Sequence, residues 1–222
     1  MSEAAPGFPD APEFGTPERA RVAESVRALI DTLMRNDGAA PEALTAAAEV
    51  VDRVTASLGG DRRADGAGYR PRSHDDYLPR SPVVGDASPL SPRLDWEVVD
   101  GRVFATGRFG AAYEGPPGYV HGGMVALAFD EVLGIVNIAN DNPGMTGTLK
   151  VRYRRPTPLF TDVRFEAWVE QVDGRRIRSL AELWAGDTLC AEADGLFIQP
   201  RPELAAQYFG TDPAADAAAD SS

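Results

Sequence analysis

The chain has 222 residues and a formal net charge of −12 at pH 7, with a sequence pI of about 4.6. This length accommodates one domain with extensions, and the acidic balance argues against nucleic-acid binding and against a polybasic membrane contact. The single cysteine, Cys190, excludes an intrachain disulfide, and the lack of a signal-peptide pattern or of an apolar run of about 20 residues predicts a cytoplasmic protein with no membrane span.

The first 60 residues predict a tail followed by two helices. Residues 1–15 are rich in Ala, Pro, Glu and Gly, and we expect a disordered tail there. Thr16-Pro17-Glu18 is typical of a helix start, and the apolar spacing that follows predicts a helical hairpin over residues 16–60. The side chains expected to face inward in this hairpin are Val22, Val26, Leu29, Ile30, Leu33, Leu44, Ala48, Val51 and Leu58.

The middle of the chain predicts a connector and then a folded domain. Residues 61–93 are dense in Pro, Gly, Arg and Ser, which is typical of an extended connector. From residue 94 to residue 200 the pattern changes to short strands and one helix, and residues 201–222 predict a flexible tail. The strands are expected at residues 94–100, 102–109, 146–155, 162–171, 175–185 and 188–199.

The helix predicted at residues 122–139 is apolar on nearly every side, which is typical of a buried helix. A sheet must curl around such a helix to cover it, so the sequence predicts an α+β fold with an antiparallel sheet wrapped around a long central helix. The N-terminal helical hairpin is an extension of this domain. Because one side or end of the helix stays uncovered, we also expect a second copy of the chain to pack there.

The start of this helix, His121-Gly122-Gly123, is a candidate site for binding a carbonyl oxygen. Backbone N–H groups in the first turn have no partner within the helix, and glycine lets a substrate approach closely. Such a site contributes roughly 3 kcal/mol to barrier lowering. The structural alternative is that the glycines only permit close loop packing. His121 is expected to position the loop, to donate to the carbonyl or to cap the helix.

Asp130 is the second candidate, because an ionised carboxylate is costly in an apolar helix unless it is paired. It follows Gly123 by seven residues, so the two lie on nearly the same helix face but about 10 Å apart along the axis. Reacting atoms must come within about 3.5 Å. If both groups serve one reaction, they therefore come from two chains. The alternative is a buried acid paired with backbone donors or with an arginine.

Further candidates lie on the strand after the helix. The hydroxyl of Thr146 is suited to holding a water or the carboxylate. Lys150, Arg152, Arg154 and the adjacent Arg155 form a basic cluster that is suited to binding phosphates, although a solvated strand face explains the pattern equally well. The sequence contains no phosphate-binding glycine loop, no dinucleotide fingerprint, no metal-ligand spacing and no Gly-x-Ser-x-Gly nucleophile elbow.

Two motifs in the second half of the chain resemble those of the hotdog-fold acyl-CoA thioesterases. The first runs from Glu114-Gly115-Pro116-Pro117 through His121-Gly122-Gly123 to Asp130, and the second runs from Met145 to Leu159. The resemblance covers residues 94–200. Within the family, these residues are similar to the subgroup that contains thioesterase superfamily member 4. One departure concerns the sixth position before His121, where some members carry Asn or Gln and this chain has Gly115.

The resemblance implies a role for each candidate. Asp130 would act as general base or nucleophile on the thioester, Gly123 with Gly122 would polarise its carbonyl, and Thr146 would orient the hydrolytic water. Arg154 and Arg155 match basic positions near the coenzyme A phosphates. The implied protein is a homodimer or tetramer that hydrolyses a fatty or aromatic acyl-CoA and needs no cofactor.

Two other functions are compatible with the sequence. A non-catalytic acyl-CoA-binding hotdog protein, acting as a sensor or scaffold, would use the N-terminal hairpin as an interaction module. A dehydratase on the same fold is disfavoured, because the His-Phe-Pro-Gly loop of such enzymes is missing here.

Overall fold

The computed structural model describes residues 14–59 and 77–201. Most of the two predicted tails, residue 60 of the predicted hairpin and residues 61–76 of the predicted connector lie outside these ranges. Helix α1 spans Pro17–Arg35 and helix α2 spans Pro41–Ser57. The Thr16 side chain accepts a hydrogen bond from the Arg19 N–H, so the expected N-cap of α1 is confirmed.

The prediction that the apolar face of the second helix is buried is wrong for the single chain. Helix α2 buries no residue, and Leu44, Val51 and Leu58 remain 43%, 42% and 64% exposed. Leu33 of α1 is also exposed, so the two helices do not share an apolar core. The two helices are joined by a five-residue link, residues 36–40, which does not force them to pack on each other. The expectation failed because helical spacing shows that a helix has an apolar face but does not determine what covers that face.

Helix α1 instead packs on the rest of the molecule. Ala23 is buried, and the Arg27 Nη1 donates to the carbonyl oxygens of Ser88 at 2.7 Å and Asp86 at 3.2 Å. The helix also contacts the short turn Ala111–Tyr113. The N-terminal helix is thus anchored to the connector and to the loop that precedes His121.

The sheet has six antiparallel strands, which are β1 Asp95–Val99, β2 Arg102–Gly107, β3 Met145–Tyr153, β4 Val163–Asp173, β5 Arg176–Ala185 and β6 Thr188–Ile198. Their order in the sheet is β1-β2-β4-β5-β6-β3. The expected tight turn between β1 and β2 is confirmed, since Asp100 and Gly101 both have positive φ, at 49° and 72°. Among the described residues, β3 lies at one edge of the sheet and pairs only with β6.

Helix α3 spans Gly122–Ala139 and is the central helix of the domain, as the sequence predicts. Phe129 and Leu133 are fully buried, and the Phe129 ring packs edge-on against Phe165 of β4 at 5.3 Å. The α+β fold with a sheet wrapped around a helix is therefore confirmed. By length and hydropathy alone α3 would also fit a membrane span, but a core helix of this kind passes the same test.

One stripe of α3 is not covered by the sheet. Gly123 is exposed, and Leu127, Asp130 and Gly134 are only half-buried. These four residues recur at helical spacing and form the α3 stripe. Asp130 thus lies at the margin of the core rather than inside it, because the sheet curls around the opposite face of the helix.

Candidate active site

The start of α3 is held by the loop that precedes it. The His121 N–H donates to the Tyr113 carbonyl at 2.8 Å, and His121 is the N-cap of the helix. The Gly123 N–H donates to His121 Nδ1 at 3.0 Å. Of the roles considered for His121, the structure places it as a cap.

Gly115 is required by the same loop. A Cβ atom at this position would lie 2.7 Å from the Cα of His121, which is closer than real Cβ contacts come. The backbones of the two residues therefore approach too closely for any side chain at position 115. No Asn or Gln side chain takes part in carbonyl binding from this position, and the departure noted in the sequence follows from the path of the loop.

The peptide unit between Gly122 and Gly123 has a partner on each side. The Tyr153 hydroxyl donates to the Gly122 carbonyl at 2.7 Å, and the Gly123 N–H donates to His121. The Gly122 N–H has no acceptor among the residues that the structure describes. Of the two predicted donors, Gly122 is therefore open to an incoming oxygen, whereas Gly123 is engaged.

Asp130 and Thr146 form a contact within one chain. The Thr146 hydroxyl donates to Asp130 Oδ1 at 2.8 Å. Asp130 Oδ2 receives no hydrogen bond from any described residue. The predicted association of this carboxylate with the hydroxyl is present, and one carboxylate oxygen stays available to a ligand.

A β-bulge turns Thr146 toward the helix. Thr146 lies opposite Phe197 and Thr148 lies opposite Leu196, so Gly147 is an extra residue between two consecutive pairs. Strict alternation would put Thr146 on the outer sheet face together with Thr148 and Lys150. The bulge places it on the inner face instead, where it reaches Asp130.

The two halves of the candidate site are apart within one chain. Helix α3 is continuous from Gly122 to Ala139, so Gly123 and Asp130 are separated by about 10 Å along its axis. The structure therefore brings His121, Gly122 and Gly123 together at one end of the helix and brings Asp130 and Thr146 together further along it. It does not bring the two groups to each other.

The predicted phosphate-binding cluster lies among acidic residues. Lys150 and Arg152 are exposed and stand opposite Asp194 and Glu192 of β6. Arg154 forms an ion pair with Glu192, while the Arg155 Nη1 donates to the Arg154 carbonyl at 2.8 Å. A ligand phosphate would thus compete with these carboxylates for the cations.

Glu131 is a buried acid that sequence reasoning did not single out. Its Oε1 atom is buried, and the Tyr77 hydroxyl donates to its Oε2 at 3.2 Å. Burial raises the pKa of the Glu131 carboxyl, and the nearby Asp130 raises it further, although hydrogen bonds from Ser81 and Tyr77 oppose this shift. The costly carboxylate of α3 is therefore Glu131.

The described part of the chain contains no cluster of metal ligands. No group of three or more His, Cys, Asp or Glu side chains within residues 14–59 and 77–201 is arranged to hold a metal ion.

Comparison with solved structures identifies the family. The chain is similar to a crystal structure of a thioesterase superfamily protein, with 31% sequence identity and a TM-score of 0.73. The match covers 88% of this chain and 94% of the other. The chain belongs to the thioesterase superfamily. The residues from Leu94 to the end of the chain make up less than 88% of it, so the structural match also includes part of the chain before Leu94. The likeness to this thioesterase superfamily protein therefore extends beyond the resemblance seen in the sequence.

Sequence comparisons agree on the family. The thioesterase superfamily profile matches residues 117–192, which include Asp130 and Thr146. Acyl-coenzyme A thioesterase THEM4 of Mus musculus is 32% identical over 107 residues, which are 47% of this chain and 46% of that protein. The same protein of Xenopus laevis is 35% identical over 95 residues, 42% of this chain and 43% of that protein. The chain thus spans less than half the length of these curated relatives.

Proposed function

We propose that the protein is an acyl-CoA thioesterase whose active site is shared between two chains. Each site would combine Gly122 and Gly123 of one chain with Asp130 and Thr146 of a partner. The assembly is a homodimer, or a tetramer built from two such dimers. Thioester hydrolysis of a fatty or aromatic acyl-CoA is the reaction that this arrangement of groups serves best.

The observation that carries the proposal is the Asp130–Thr146 pair together with its distance from the helix start. A carboxylate with one free oxygen and an adjacent hydroxyl is suited to activating water. An unengaged N–H at a helix N-terminus is suited to polarising a carbonyl. About 10 Å of helix separates them in one chain, so a second, antiparallel copy of α3 is needed to bring them together.

Two exposed surfaces support a two-chain assembly. The α3 stripe includes Gly134, around which a Cβ atom would meet nothing within 4 Å, so a second helix has room to approach. Strand β3 is a nine-residue edge strand, and the backbone groups on its outer side have no strand partner among residues 14–59 and 77–201. Both surfaces border Asp130 and Thr146, and an interface formed there would include the proposed site.

The proposed reaction proceeds by general-base catalysis. The Gly122 N–H binds the thioester carbonyl oxygen, and the Gly123 N–H joins when His121 releases it. Thr146 and Asp130 of the partner hold a water, and Asp130 Oδ2 takes its proton as the water oxygen bonds to the carbonyl carbon. The C–S bond then breaks, Asp130 returns the proton to the sulfur, and the free acid and the thiol leave.

Coenzyme A is the proposed thiol for two reasons. The curated relatives carry acyl-coenzyme A in their names, and Arg154 and Arg155 directly follow Tyr153, whose hydroxyl contacts the helix start. Lys150, Arg152, Arg154 and Arg155 are the proposed contacts for its phosphates.

A complementation experiment tests both the chemistry and the shared site. Asp130→Asn removes the base, and we expect thiol release to fall by about 10²-fold or more. Gly122→Pro removes the open N–H, and His121 already has the extended backbone (φ −59°, ψ 132°) that precedes a proline at a helix start. Refolding the two inactive variants together at equal ratio should restore about a quarter of wild-type activity, because half of the dimers then contain one intact site.

The controls separate the competing outcomes. Asp141→Asn, at an exposed turn after α3, should leave thiol release unchanged. No recovery on mixing would contradict the shared site, and full activity of Asp130→Asn would contradict the chemistry. Acyl-CoA that raises the Tm of the wild-type protein without thiol release would instead indicate the non-catalytic binding protein.

A further inference from the structure

We infer that Tyr153 is a positioning residue for the Gly122–Gly123 peptide, whose N–H is the second of the two proposed carbonyl donors at the start of α3. This inference rests on the proposed function, because it assigns a role within that same site. Tyr153 is the last residue of β3 and lies within the second motif, Met145 to Leu159, but the sequence assigned it no role. Its side chain nevertheless makes a short contact with the Gly122-Gly123 segment.

The contact fixes Gly122 in two ways. The Tyr153 hydroxyl donates to the Gly122 carbonyl at 2.7 Å, within the usual range for such bonds. The phenol ring also lies beside the Gly122 backbone, since a Cβ atom built there would be 3.4 Å from the ring carbon Cζ. Glycine has no side chain with which to hold its own backbone, so this external contact supplies the restraint.

The Tyr153 hydroxyl bonds to the carbonyl of the Gly122–Gly123 peptide, and the N–H of that peptide points in the opposite direction. The Gly122 carbonyl and the Gly123 N–H belong to one planar unit, so a bond at one end sets the direction of the other. Donation to the carbonyl also polarises the unit, which strengthens the N–H as a donor by about 10–30%. Tyr153 and His121 thus hold this peptide from opposite sides.

The same strand also positions the groups that this chain contributes to the other active site of the proposed dimer. Thr146 near the start of β3 contacts Asp130, and Tyr153 at its end contacts Gly122. One edge strand therefore positions both the Asp130 carboxylate and the Gly122–Gly123 peptide. A shift of β3 would move both groups together, and loss of the Tyr153 hydroxyl would release only one of them.

The test is Tyr153→Phe, which keeps the ring and removes the hydroxyl. A single hydrogen bond contributes about 0.5–1.5 kcal/mol, so we expect kcat for thiol release to fall roughly threefold to tenfold while KM stays within about twofold. The amide resonance of Gly123 should move in the ¹⁵N–¹H spectrum of the substrate-free protein. Tyr119→Phe is the matched control, because Tyr119 lies in the adjoining loop and its hydroxyl contacts no described residue.

The two readouts separate failure of this inference from failure of the proposed function. An unmoved Gly123 resonance in Tyr153→Phe overturns the inference, and so does a moved resonance with unchanged kcat. A higher KM at unchanged kcat also overturns it, because Tyr153 would then bind substrate instead of positioning the peptide. If the wild-type protein releases no thiol, the proposed function fails, and the Gly123 resonance alone decides whether Tyr153 holds the peptide.

Discussion

Asp130 and Glu131 are neighbours in sequence with opposite surroundings. Asp130 lies on the α3 stripe, half-buried, and keeps one carboxylate oxygen open. Glu131 points about 100° away around the helix and is enclosed by the connector at Tyr77 and Ser81. The first carboxylate is placed to meet a ligand, whereas the second ties the connector to α3.

Stability should depend on pH through Glu131. Its pKa is raised in the folded state, so folding favours the protonated form, and this contribution is present at low pH and lost as pH rises through the raised pKa. We expect Glu131→Gln to raise the free energy of unfolding relative to wild type at about pH 8 and to converge with it near pH 4. Urea unfolding across this range measures the difference.

The exposed Glu97 of β1 supplies the control for this substitution. Glu97→Gln removes an acid that is not enclosed, and its stability curve should run parallel to that of wild type. A Glu131→Gln curve that is as steep as the wild-type curve would contradict the role of burial.

At the residue scale, the sequence predicted the groups that share a motif and missed those that act from elsewhere. His121, Gly122 and Gly123 are adjacent, and helix geometry predicts what their backbone atoms offer. The sequence assigned no role to Tyr153, because its partner is a backbone carbonyl 31 residues away. Single-sequence patterns carry no information on such long-range pairs.

At the element scale, the bulge at Gly147 determines which face Thr146 occupies. Thr146 and Thr148 already face consecutive residues of β6, Phe197 and Leu196. Deleting Gly147 should therefore leave a regular ladder in which Thr146 still faces α3. We expect this deletion variant to stay folded and to retain thiol release within about tenfold of wild type.

Deletion of Val151 is the matched comparison, because it shortens the same strand by one residue outside the bulge. This change turns every residue before position 151 to the other face and moves Lys150 toward the core. We expect loss of thiol release and a lower Tm. Equal behaviour of the two deletion variants would contradict the assigned register.

Strand and helix bounds were predictable to within about two residues, because Gly, Asp, Asn and Pro mark the turns between them. The face of Thr146 was not predictable in the same way. Period-two alternation is the only signal of strand orientation in a sequence, and a bulge breaks it without an obligatory residue type. The pairing of β3 with β6 reveals it.

At the scale of the whole molecule, α1 packs on the folded domain, whereas α2 buries no residue within the part of the chain that the structure describes. Arg27→Ala removes the two hydrogen bonds from α1 to the connector carbonyls, and we expect a loss of about 1.5 kcal/mol in the free energy of unfolding. Arg53→Ala on exposed α2 should change it by less than about 0.5 kcal/mol. Chemical denaturation of both variants measures this, and equal losses would contradict a docked α1.

The edge position of β3 has a consequence for how the molecule loses activity. Strands with one neighbour open locally at a lower free energy than strands in the middle of a sheet. Both site contacts, at Thr146 and at Tyr153, depend on β3, whereas the core around Phe129 is formed mainly with the inner strands. Local unfolding of β3 therefore inactivates a chain that is otherwise folded, and pairing of β3 in the proposed interface would raise the free energy of that local unfolding.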